Sequence, residues 1–71
     1  AIETFELNTK IYPCSSNAYD SLAEAYEINN ENKKALSNYK KAIKMEIEGD
    51  NDINSIKQYT NNIKRVKYKL R

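Results

Sequence analysis

Seventy-one residues, 39% hydrophobic and 31% charged with a single glycine and a single proline, fit one small all-α domain and disfavour a β-rich fold built on many tight turns. A chain this short buries only about 60% of the surface that its unfolded form exposes, so a thin core is expected. The absence of histidine removes every Ser-His and Cys-His nucleophile pair, and the lone Cys14 allows no internal disulfide, so no catalytic role is expected.

In chain order, residues 2–12 read as a helix that stops at Pro13, which lacks an amide hydrogen and disfavours a helical residue before it. Ser15, Ser16 and Asn17 offer N-caps for a second helix over 17–29, with Asp20 near its positive end. This helix carries Tyr19, Leu22, Ala23 and Tyr26 on one face. The polar break from Asn29 to Asn32 tolerates left-handed backbone and is too short for anything but antiparallel packing. A third helix over 33–48 places Ala35, Leu36, Tyr39, Ala42 and Ile43 on one face, and Gly49 is expected to end it in the left-handed conformation. Asp50, Asn51 and Asp52 offer caps for a last helix over 52–70, whose apolar positions are Ile53, Ile56, Tyr59, Ile63, Val66 and Leu70. Alanines at 23, 35 and 42 permit close helix packing, and the tyrosines are expected to fill the remaining volume with their hydroxyls turned outward.

Counted from Ser16, this pattern resembles a tetratricopeptide repeat of about 34 residues. Tyr19, Leu22, Ala23 and Tyr26 fall at the sites of its first helix, and Ala35, Tyr39 and Ala42 at those of its second. Ala23 replaces the usual glycine, Asn30 stands where glycine often makes the turn, and Ile47 stands where proline usually ends the repeat. Counting backward puts Ala1 at a small site, Phe5 at the aromatic site and Pro13 at the proline site, with Asn8 departing from the second small site. Lys57 and Thr60 depart from the small and tyrosine sites of a following repeat. The resemblance implies a short solenoid of about four antiparallel helices, with residues 1–13 ending an earlier repeat, 16–49 forming a complete one and 50–71 a cap. It also implies a peptide groove along the first helix of each repeat. On that carry-over Asn17, Asp20, Glu24, Glu27 and Ile28 face the groove, continued by Asn54, Gln58, Asn61 and Asn62 on the last helix. The phrase YPCSSNAYDSLAEAY, residues 12–26, further resembles a repeat segment at the C-terminal end of secreted bacterial hydrolases of the serine β-lactamase type. That likeness implies an accessory tail of a longer enzyme, with a purely structural C-terminal tail as the alternative to a binding role, periplasmic or secreted; otherwise a cytoplasmic setting is expected.

The charge is unevenly placed. Residues 1–31 hold six acids against Lys10 alone, whereas Lys57, Lys64, Arg65, Lys67, Lys69 and Arg71 follow Ile53 without an acid. An acidic and amide-rich groove favours a basic or neutral peptide or protein, or a neighbouring domain of the same parent chain. It does not resemble the groove that clamps a C-terminal carboxylate, which needs lysine and asparagine where Asp20 and Glu24 stand. Glu24 and Glu27 read as a solvated helix face rather than an acid-base pair. The acids at 50 and 52 lack the glycine and glutamate of a calcium loop, so neither metal nor cofactor is expected. Alternative partners are nucleic acid, through Lys57, Lys64, Lys67 and Arg71 with Tyr68 to stack on a base, or an anionic membrane surface through the same stripe. A solenoid this short is expected to pack its last helix tightly or to self-associate, making a homodimer plausible on stability grounds.

Overall fold

The computed structural model describes residues 2–71, so Ala1, expected at a small site, lies outside the described residues. Within them the chain forms α1 (Ile2–Ile11), α2 (Ser16–Ile28), α3 (Asn32–Glu48) and α4 (Ile53–Lys69), with no strand. The fold is all-α, a short stack of antiparallel helical hairpins, and its helix limits fall within two residues of those read from periodicity.

Each break has a local cause. Ser15 caps α2, its Oγ accepting the Ala18 N–H at 3.3 Å. Asn30 takes a left-handed φ of 62°, a conformation that its short polar side chain tolerates, and redirects the chain into α3. The turn after α3 differs from expectation. Gly49 has φ −101°, and it is Asn51, at φ 53°, that enters the left-handed region. A Cβ at Gly49 would lie 3.0 Å from the Met45 carbonyl oxygen, which already accepts the Gly49 N–H at 2.8 Å, so a side chain there would crowd the end of α3. Asp52 precedes α4 and holds Ser55 Oγ on its carboxylate at 2.9 Å.

The molecule measures 31 × 25 × 14 Å. Its shortest dimension matches one helix-helix spacing of about 9 Å plus a Cα cylinder of about 4.6 Å diameter. The helices therefore zigzag between two layers, α1 and α3 in one and α2 and α4 in the other. Helices pack as α1 on α2, α2 on α3 and α3 on α4, the α2–α3 hairpin most extensively. Ala23, Ala35 and Ala42 are wholly buried. Leu22, Tyr26, Tyr39 and Val66 close around the first two of these, joined by Ile2, Phe5, Leu36 and Ile63.

Three expectations are corrected. Tyr19 is only half-buried, with Lys41 Nζ 5.2 Å from its ring centroid. On α4, Tyr59 and Val66 point inward, but Ile53 and Leu70 lie at its ends and stay exposed. The core tyrosine hydroxyls do not turn to solvent: Tyr26 donates to Glu6 at 3.0 Å, Tyr39 to Glu27 at 2.9 Å and Tyr59 to Asn17 at 3.4 Å. A phenol leaving water needs an acceptor, and carboxylates on the neighbouring helix supply two of the three.

Candidate interaction groove

Side chains bridge α2 and α4 across their shared layer, and Glu27 is the centre of the bridge. It lies one residue beyond the core position Tyr26 on α2 and is 8% exposed. Arg65 on α4 donates to it twice, Nε to Oε2 at 2.8 Å and Nη2 to Oε1 at 2.7 Å. One turn further along α4, Lys69 Nζ reaches Oε2 at 2.6 Å, while Tyr39 of α3 donates to Oε1 from below at 2.9 Å. Arg65 and Lys69 flank the buried Val66, so seating that valine in the core brings both cations over the carboxylate. The two Arg65 bonds lead the effect that holds the Glu27 carboxyl down at about 2, against the cost of its desolvation. Burial and the adjoining Glu27 carboxylate push the Tyr39 phenol well up, and the same carboxylate raises the Arg65 guanidinium.

Weaker links continue the bridge toward the other end of α2. Asn62 donates to Asp20 at 3.4 Å, and burial, followed by repulsion from Glu24, raises the Asp20 carboxyl. Tyr59 lies 3.2 Å from Ser16 Oγ, and burial raises its phenol. Ser16 donates in turn to Glu46 at 2.7 Å, and the other oxygen of Glu46 accepts the Asp52 N–H at 3.0 Å. The buried Glu46 thus ties the start of α2 to the α3–α4 turn.

Above these links α2 and α4 leave an open cleft of about 370 Å³, lined by Glu24, Glu27, Ile28, Tyr39, Gln58, Asn62, Arg65 and Lys69. The residues assigned to a groove from the sequence divide into two sets. Glu24, Ile28, Asn54, Gln58 and Asn61 are exposed along the two helices, whereas Asp20, Glu27 and Asn62 are drawn into the bridge. Asn17 is exposed and also touches Tyr59. Glu27 is therefore not a solvated acid paired with Glu24 but a neutralised floor, and the acidity left on the rim is mainly that of Glu24. Two roles escaped the sequence reading, the second being Glu46. The one available signal for Glu27 was the pair of cations four apart on α4, beside an inward valine.

No group of three His, Cys, Asp or Glu among the described residues could hold a metal ion, and no described helix is long and apolar enough to cross a membrane. Cys14 is a free, exposed thiol in the α1–α2 connection. By fold and site the chain is an all-α hairpin stack with a bridged surface cleft. It matches no protein-family profile, no curated protein and no solved structure.

Proposed function

We propose that this chain is a non-catalytic, tetratricopeptide-like interaction module whose α2–α4 cleft holds a neutral or basic polypeptide segment. The observation that carries this reading is the cleft's construction. Its floor is an ion network in which the half-exposed Arg65 and Lys69 more than balance Glu27, so that together with Glu24 the lining carries no net charge. Its rim presents the exposed amides of Asn54, Gln58 and Asn61 beside Glu24 and the 76%-exposed Ile28. A carboxamide carries a donor and an acceptor and can pair with a peptide group, while Ile28 offers an apolar contact and Glu24 selects against acidic segments. The lack of histidine supports a role without chemistry.

Chemical-shift mapping with a lysine-rich and a glutamate-rich peptide of equal length tests the reading. Shifts confined to Glu24, Ile28, Gln58 and Asn61, seen with the basic peptide and lost in Glu24→Lys, support it. An equal response to the acidic peptide, or none in the cleft, rejects it. Glu27 is left unchanged in that test because its loss would disturb the fold itself.

A nucleic-acid role is the second reading, favoured by the exposure of Lys57, Lys64, Lys67 and Arg71. It ranks lower because Arg65 and Lys69 are engaged by Glu27, and because Arg71 lies 5.9 Å from the Tyr68 ring centroid, over the face a base would stack on. Retention on heparin that falls steeply with salt would reverse that order.

A further inference from the structure

The outer side of α3 serves neither the core nor the cleft. Packed between α2 and α4, this helix buries Ala35, Tyr39, Ala42 and Glu46 and leaves its opposite side to solvent. Of its eight exposed residues five are lysines, Lys33, Lys34, Lys40, Lys41 and Lys44, and a single one, Glu48 near its end, is an acid. The helical period sorts the lysines into two rows about a quarter-turn apart, over a length of about 16 Å. Lys33, Lys40 and Lys44 form one row, Lys34 and Lys41 the other, and Ser37 lies between them.

Little in the fold neutralises them. Lys34 pairs with Glu31 at 3.3 Å yet keeps 63% of its side chain exposed, and the other four make no ion pair among the described residues. The second row is held along the α2–α3 seam, with Lys34 Nζ 5.6 Å from the Tyr26 ring centroid and Lys41 Nζ 5.2 Å from that of Tyr19. Such a contact positions an ammonium without removing its charge. The array is two rows wide, so an extended acidic strand would satisfy only one of them. With α1 beside it in the same layer of a slab 14 Å thick, α3 presents a broad side rather than a ridge that could enter a nucleic-acid groove. Its exposed residues also include no aromatic ring on which a base would stack. All five cations are point charges on flexible stems, with no guanidinium fork to fix one carboxylate or phosphate in a set geometry. A broad field of mobile cations matches a broad field of mobile anions.

We infer that the lysine side of α3 is an adsorption surface for a membrane bearing anionic lipid headgroups. The apolar side of α3 is committed to the core, so no helix face inserts among the acyl chains. The contact is electrostatic, reversible and screened by salt, each lysine near the surface raising partitioning by a factor of about five. The cleft opens between α2 and α4, in the other layer, so a chain lying on α3 keeps that cleft turned to solution. Adsorption and occupation of the cleft are therefore independent events.

Co-sedimentation of the chain with phosphatidylcholine vesicles, with and without about 30% phosphatidylserine, is the test. In about 0.1 M salt the wild type is expected to pellet with the charged vesicles and not with the neutral ones, and to be released at about 0.5 M. Replacing Lys33, Lys40 and Lys44 together by glutamine should lower partitioning about a hundredfold, a factor of about five for each. The same replacement of Lys57, Lys64 and Lys67 removes as much charge from α4 and should cost under about threefold, since those residues lie off the adsorbing side. Circular dichroism checks that both triple variants keep their helicity. The chain has no tryptophan, so single reporters are clean: Ser37→Trp emission should shift to the blue on charged vesicles, and Ile28→Trp emission, from the cleft, should not. Failure of the wild type to bind charged vesicles, equal losses in the two triple variants, or tighter binding to duplex DNA than to vesicles at equal phosphate would each overturn the inference.

Discussion

Glu27 is a carboxylate taken out of water and given four hydrogen bonds from three side chains on two other helices. Its partners are unequal. Arg65 supplies two bonds in a fixed fork, while Lys69 supplies one from a flexible stem, and both cations remain nearly half exposed. Removing the fork leaves a buried charge with an incomplete set of donors, so Arg65→Ala is expected to cost about 2 kcal/mol, below the full penalty of a wholly buried pair because water can enter where the guanidinium was. Lys69→Ala is expected to cost less than half as much, and Arg65→Lys to recover only part of the loss. Urea unfolding of the three variants ranks them. Equal costs for Arg65→Ala and Lys69→Ala would mean that the bond geometry matters less than the summed charge.

At the level of the helices, the seam between α2 and α3 is set by side chains too small to hold them apart. Ala42 of α3 likewise has no exposed surface, and enlarging it must push back a helix packed on α3 or force its neighbours off their preferred rotamers. Ala42→Leu is therefore expected to destabilise by about 1 to 3 kcal/mol, read as a lowered urea midpoint at constant slope. Ile47→Ala, on an exposed residue five positions on, is expected to change the midpoint by under about 0.5 kcal/mol. The helices were legible because apolar spacing and caps act locally: Tyr26 and Ala42 declare a face through neighbours three and four residues away, Ser15 starts α2 with its own side chain, and Asn30 follows its end by taking a left-handed φ. Glu27 was not legible for the opposite reason. Its burial is decided by Arg65 and Lys69, 38 and 42 residues away, and a hydropathy pattern assigns any glutamate to water. The turn at 49–51 failed on a finer point, since glycine satisfies both a left-handed site and a crowded one, and only coordinates show that Gly49 occupies the crowded kind, beside Met45.

For the whole molecule, the same carboxylate and phenols define the pH range in which the fold is stable. Glu27 drops from its ordinary 4.5 to about 2 on folding, so its contribution is complete above pH 4.5 and is lost as pH falls toward 2, amounting to on the order of 3 kcal/mol at neutral pH. The basic limit has the opposite origin. Tyr26, Tyr39 and Tyr59 are all raised above their ordinary 10, chiefly by burial, so the unfolded chain releases their protons first and stability declines as pH rises through 10. Asp20 opposes the acid limit in part, because its raised carboxyl favours the folded state when protonated. The melting temperature is thus expected to form a plateau between about pH 5 and 9.5 with a fall on each side. Glu27→Gln should lower the plateau and flatten the acid limb, since the group whose ionisation drives that limb is gone. Absorbance of phenolate at 295 nm gives an independent reading of the basic limb: the three buried rings should ionise only together with the loss of helical ellipticity. An acid limb of unchanged depth in Glu27→Gln would place the acid sensitivity elsewhere in the chain, and full phenolate absorbance with the helices intact would show that the hydroxyls of Tyr26, Tyr39 and Tyr59 are not held on Glu6, Glu27 and Asn17.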